Sequence, residues 1–263
     1  MSVITSRESR QFKELAKLTQ KKYRDREGVF IAEGPNVVGE ALSSEGIEVL
    51  RVFAREGSGY ERFAGDVTVL AADLFDRVSD TMTSQGILAV IRKPGHDVIK
   101  ASSAGSIKAS SACGIIVLDR LQDPGNIGTI IRTAEGAGIS EIVVIKGTCD
   151  PYSPKVVRAC AGSILRMPIA FCDSAEEFID IAKDAGYRLA VTDVENGVPY
   201  YDAGLSGQET PVALVIGNEG NGVSDTFRGA ADILVNIPMH GKLESLNASV
   251  AAALLMYEMN RPE

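Results

Sequence analysis

The sequence is short of the residues that build metal centres. It has two histidines, His96 and His240, and four cysteines, Cys113, Cys149, Cys160 and Cys172. No two cysteines stand in CxxC spacing, so no metal site is expected, and the thiols read as reduced cytosolic cysteines. No apolar run approaches the roughly 20 residues that span a bilayer. The first residues, MSVITSRESRQFKELAKL, hold no apolar signal core, so a cytoplasmic protein is expected. The common ligand signatures are missing too. No GxGxxG follows a strand, no GxxxxGKS or GxxxxGKT is present, and no GxSxG occurs.

Positive charge is scarce overall. The formal net charge is −8, which argues mildly against a nucleic-acid partner. The distribution says more. Arg7, Arg10, Lys13, Lys17, Lys21, Lys22, Arg24 and Arg26 crowd the first residues, opposed only by Glu8, Glu14 and Asp25. That run is either a local phosphate-binding face or a solvated helix surface, and charge alone favours the second.

What is present is strand and helix in alternation. In the first block, Ser9 to Lys22 reads as one helix with Phe12, Leu15, Ala16 and Leu18 on its apolar side. VFIAEG, IEVLRVFA, VTVL and GILAVI read as strands, with Pro35 opening a helix. Residues 94–112, rich in Ser, Ala and Gly, read as a linker. The expected division is therefore an α/β unit over 1–93, a linker over 94–112 and a second domain over 113–263. GIIVLD, EIVVIK, YRLAVTD, PVALVIG and ADILVNIP are the second domain's strands, and SLNASVAAALLMYEMN is its closing helix, with Ser245 as a candidate cap. The fold class expected is α/β, with a mostly parallel sheet covered by helices on both faces.

In such sheets ligands bind beyond the carboxyl ends of the strands. Three segments lie there: DRLQDPGNIGTIIR, GNEGNGVSD and IPMHGKLESLNAS. Each combines glycine with polar side chains. In the second, Glu219 sits among glycines, where a carboxylate has no packing purpose, and a solvated turn residue is the bland alternative. By themselves, Ile237 and Leu246 read as core residues, and Arg132 as the partner of Glu135 one helical turn away.

At these loops the sequence resembles the SpoU-type, TrmH-like RNA 2′-O-ribose methyltransferases of the SPOUT superfamily. LDRLQDPGNIGTIIRTAEGAG, LVIGNEGNGVSD and VNIPMHGKLESLNASVAAALLMYE match that family's three motifs in order. FIAEGPNVVGEAL and GILAVI are similar to its ribosomal-protein-like substrate-binding domain. The resemblance implies a deep trefoil knot in the second domain, a homodimer, S-adenosyl-L-methionine as cofactor, no metal, and RNA as substrate, ribosomal RNA first. A transfer-RNA methyltransferase, or a non-catalytic RNA-binding protein on the same fold, stays open as the alternative.

The resemblance also assigns residues. The loop at Gly217, following Ile216, would wrap the cofactor, with glycine admitting close approach of the adenine. Ile237 and Leu246 would flank the adenine, with Met239 beside them. Asn126, Arg132, Glu219, Ser245 and Asn247 would form the catalytic site, Asn247 also touching the cofactor. A guanidinium with a pKa above about 12 is a poor base. Arg132 is therefore expected to orient phosphate and ribose and to stabilise developing negative charge. The family pattern does not require His240, which reads as a loop residue. Arg120 stands where many relatives carry glycine.

Overall fold

A computed structural model describes residues 3–63, 66–81, 83–94, 114–207 and 210–261. Apart from Pro94, the segment expected to be a linker lies outside the described residues. The chain divides into two compact units, Met1–Pro94 with Asp150–Leu165, and Gly95–Cys149 with Arg166–Glu263.

The first unit has a four-stranded sheet of β1 (Val29–Glu33), β2 (Val49–Arg55), β3 (Val67–Leu70) and β4 (Ile87–Arg92) in the order β1-β4-β2-β3. β4 runs antiparallel to both neighbours, while β2 and β3 are parallel. Helices α1 (Arg10–Lys17), α2 (Lys21–Glu27), α3 (Pro35–Ser43) and α4 (Ala72–Val78) complete the first block. Phe12, Leu15, Phe53, Leu74 and Phe75 close one apolar core.

The single helix expected over Ser9–Lys22 is in fact two, broken at Leu18–Gln20. Helix ends leave carbonyls unpaired. Here the buried guanidinium of Arg24 supplies the donors, Nη1 bonding Leu18 O at 3.0 Å and Thr19 O at 2.8 Å. Its Nη2 donates to Asp150 Oδ2 at 2.6 Å, and Asp150 Oδ1 accepts from Tyr152 N at 2.9 Å. The basic run is thus not one face. Arg24 is interior, and Arg10, Lys13, Lys21 and Arg26 are tied to neighbouring carboxylates.

Residues 150–165 join this unit although they come from the middle of the second block. Tyr152 stacks obliquely on Phe30, centroids 5.2 Å apart, and the helix Pro154–Ala159 packs on β1.

The second unit holds a seven-stranded sheet, all parallel: β5 (Ile115–Leu118), β6 (Glu141–Ile145), β7 (Ile169–Cys172), β8 (Arg188–Thr192), β9 (Val198–Pro199), β10 (Val212–Ile216) and β11 (Ile233–Asn236). Their order is β7-β6-β5-β10-β8-β11-β9. β5 and β10 are buried along their whole length, which is why both read as unbroken apolar runs. From β5 the chain moves outward through β6 and β7, then returns to β8, and β10 fills the gap between. That reversal places the loops after β5 and β10 side by side, the position where open parallel sheets bind ligands.

Removing one partner of a buried ion pair strands the other charge. We expect Asp150→Ala to destabilise the first unit by about 3–5 kcal/mol in urea unfolding. A change under about 1 kcal/mol would mean that Arg24 is satisfied without Asp150.

Candidate active site

The loop after β5 runs from Asp119 into the helix Pro124–Gly136. Asp123 caps that helix, its Oδ1 accepting from Asn126 N at 2.8 Å, and Pro124 takes the first-turn position. Asn126 is thereby fixed at the helix start, with its amide turned out toward the neighbouring loops.

The loop after β10 is a tight crossing. Asn218 N donates to Gly222 O at 3.0 Å and Gly222 N to Asn218 O at 2.9 Å. Asn218 Oδ1 accepts from Gly220 N and Asn221 N. A Cβ on Gly217 would lie 2.3 Å from Val223 N and 2.4 Å from Gly222 C. Closure of the loop on itself thus requires glycine before any ligand is considered, a reason that the sequence alone did not display. Gly222 holds the positive φ, 64°.

Three loops then meet. Asn126 Nδ2 donates to Glu219 Oε1 at 3.0 Å. Asn247 Nδ2 donates to Asn126 Oδ1 at 2.9 Å. Asn247 Oδ1 accepts from Ser249 N at 2.9 Å, capping the closing helix Ala248–Met259. The cap is therefore Asn247 and not Ser245, which is exposed and makes no hydrogen bond among the described residues. Gln122 N also donates to Glu219, Oε2, at 3.4 Å.

Arg132 lies on the same helix as Asn126, exposed and without a charged partner among the described residues. The partner expected for it, Glu135, bonds Arg166 instead, with Arg166 Nη2 donating to Glu135 Oε2 at 3.0 Å. Ile216 is buried in β10, and its carbonyl accepts from Asp119 N at 2.9 Å. Ile237, Met239 and Leu246 are half-buried, and His240 is exposed.

Several participants escaped the sequence reading. Arg120 has φ 58° in the turn, and its carbonyl accepts from Asn218 Nδ2 and Gln122 Nε2, each at 2.9 Å. Buried Asp119 accepts from Ser224 N at 2.7 Å through Oδ2. Asp193 ends β8 on the same side. Burial alone would raise its pKa, but the N–H groups of Asn196 and Glu195 and the charge of Arg228 hold it below the usual value. A carboxylate directly ending an apolar strand was the available signal for both acids.

The unsatisfied groups describe what the site can hold. Residues 237–246 make no backbone hydrogen bond among the described residues. Asn236 Oδ1 is a buried acceptor without a donor among the described residues, while buried Asp193 Oδ2 is held by the Arg228 guanidinium, whose Nε lies 3.4 Å away. Buried polar groups normally find partners. Half-buried apolar side chains, backbone groups without internal hydrogen bonds and the open acceptor of Asn236 are the kinds of group that suit adenosine, which offers a flat ring, an amino group and ribose hydroxyls.

The comparisons agree with that chemistry. Residues 114–257 match the SpoU rRNA Methylase family, and residues 9–89 match an MRM3-like substrate binding domain. The Bacillus subtilis 23S rRNA (guanosine(2553)-2′-O)-methyltransferase RlmP is 33% identical over 265 residues, covering 98% of this chain and 99% of the relative. The AdoMet-bound rRNA methyltransferase from Sinorhizobium meliloti is 29% identical with a TM-score of 0.85, over 99% of this chain and 97% of that one. The SpoU methyltransferase AviRb from Streptomyces viridochromogenes, in complex with AdoMet, is 28% identical with a TM-score of 0.80, over 96% and 97%. Fold and sequence are those of an S-adenosylmethionine-dependent RNA 2′-O-methyltransferase. Within that class, the chain belongs to the SpoU rRNA methylase family.

Gly217→Ala should force the loop open and weaken S-adenosylmethionine binding by about tenfold or more, in line with the roughly 1–3 kcal/mol that overpacking costs. Calorimetry reads this directly. Unchanged affinity would separate the loop from the cofactor site.

Proposed function

We propose that this enzyme methylates a ribose 2′-oxygen in ribosomal RNA of the large subunit, and that Asn126, Arg132, Glu219, Ser245 and Asn247 form its catalytic site. The carrying observation is the hydrogen-bonded meeting of Glu219, Asn126 and Asn247 at the carboxyl end of the parallel sheet. The relative matched along nearly its whole length acts on 23S rRNA. Because that match includes the N-terminal unit, it favours a ribosomal substrate over transfer RNA.

The cofactor supplies an already activated methyl group on a sulfonium. What remains for the protein is alignment and exclusion of water. Ile237, Met239 and Leu246 would hold the adenine, and the backbone of the Gly217 loop would bound it. Glu219 fixes Asn126 through its amide. Arg132, exposed and without a charged partner among the described residues, is free to take a phosphate and to stabilise charge growing on the ribose oxygen. Ser245 makes no hydrogen bond among the described residues, so its hydroxyl is available to substrate or cofactor. A cytoplasmic setting, with the C-terminal segment threaded as a trefoil knot, completes the reading.

The enzyme is further proposed to act as a homodimer. The closing helix is mostly apolar, with Glu258 its one charged side chain, yet Val250, Leu254 and Tyr257 are 47%, 42% and 58% exposed. The apolar side of a helix is ordinarily buried. Light scattering at micromolar concentration should give twice the chain mass, and a monomer would refute the dimer.

Arg132→Ala should lower methyl transfer to large-subunit ribosomal RNA by about 10²–10³-fold, the scale of losing one charge-stabilising group. Calorimetric affinity for S-adenosylmethionine should not change. Weakened cofactor binding with normal turnover at saturation would contradict the role given to Arg132. Methylation of transfer RNA but not ribosomal RNA would overturn the substrate.

A further inference from the structure

The first unit carries a groove of about 610 Å³ between α1, α2 and the sheet. Its floor is apolar, formed by Leu15, Leu18, Val29, Phe53 and Val90. Leu50 stands at the mouth, 38% exposed. Tyr23 lines one wall, with Arg26 5.2 Å and Lys17 6.0 Å from its ring centre.

The rim is positive in a negative protein. Lys17, Arg26, Arg51 and Arg92 line the groove against Glu14 and Glu27, whereas the whole chain carries −8. Three of these cations have carboxylate partners in solvent-exposed pairs: Arg51 with Glu14 at 2.8 Å, Arg92 with Glu48 at 2.9 Å and Arg26 with Glu27 at 2.7 Å. Such pairs are weak and exchange readily for a phosphate. Lys17 has no carboxylate partner among the described residues.

We propose that this groove binds an unpaired nucleotide of the RNA substrate, the base against Tyr23 and the apolar floor, and the flanking phosphates on Arg51 and Arg92. Single-stranded RNA is recognised by this combination of an aromatic face, an apolar slot and arginine. A base-paired helix keeps its bases stacked inside and cannot fill such a slot. The inference rests on RNA being the substrate. It assigns one groove of the unit that matches a substrate binding domain to one unpaired nucleotide, outside the three methyltransferase motifs.

The test uses the full chain with S-adenosylmethionine bound and two probes, an oligouridylate of about 12 nucleotides and an RNA duplex of equal length. The parent should bind the oligouridylate, and the duplex should not compete for that site. Arg51→Gln with Arg92→Gln should weaken binding by about tenfold and flatten the log–log salt dependence by roughly 0.7 for each phosphate released. Tyr23→Ala should weaken it similarly through lost stacking. Glu14→Gln, which frees Arg51, should tighten binding, a gain that misfolding cannot imitate. The double arginine variant should raise KM for ribosomal RNA and leave kcat and cofactor affinity unchanged. Equal affinity and salt slope in parent and variants, or equal competition by the duplex, overturns the groove assignment. If the parent methylates ribosomal RNA but does not bind the oligouridylate, the groove falls and the function stands. If the parent neither binds nor methylates RNA, both fall.

Discussion

A carboxylate can only accept hydrogen bonds. That single constraint orders the site. Glu219 obliges Asn126 to present its NH₂, so the Asn126 oxygen must face Asn247. Asn247 must then present its own NH₂, which leaves its oxygen for the N–H groups opening the last helix. One charge on the loop after β10 therefore fixes the orientation of two amides and reaches the N-terminus of a helix far along the chain. No hydrogen position needs to be assumed to choose the flips, because the carboxylate decides the first and the first decides the second.

The fold exists to bring those groups together. β5 and β10 are distant in sequence and adjacent in the sheet, so Asn126 and Glu219 leave neighbouring strand ends. The closing helix packs on the helix that carries Asn126 and delivers Asn247 to the same point. Strand burial supplies the rigidity, and the loops supply free polar groups. This is the usual division between a close-packed scaffold and the functional loops set on it.

Much of this was legible in the sequence. The apolar runs at Ile115 and Val212 gave buried parallel strands, because strands covered on both faces need no polar alternation. The loops after them could be placed at the ligand end, and Glu219 stood out as a carboxylate among glycines. The rest depended on partners remote in sequence. The helix break at Leu18 follows from Arg24 turning inward to Asp150, which no local pattern displays. Ser245 and Asn247 are both good caps by type, and the choice falls to Asn247 because the helix starts at Ala248 and Asn126 holds the Asn247 amide with its oxygen toward Ser249 N. The inclusion of residues 150–165 in the first unit rests on Tyr152 meeting Phe30, a contact invisible to periodicity.

The most direct test of the central claim is a double-mutant cycle on methyl transfer to ribosomal RNA, using Glu219→Ala, Asn247→Ala and the pair. Among the described residues these two side chains are linked through Asn126. If the amide chain acts as a unit, the losses will be non-additive, with a coupling of about 1 kcal/mol or more. Additivity within about 0.5 kcal/mol would mean that Glu219 and Asn247 work independently and that their connection through Asn126 carries no catalytic weight.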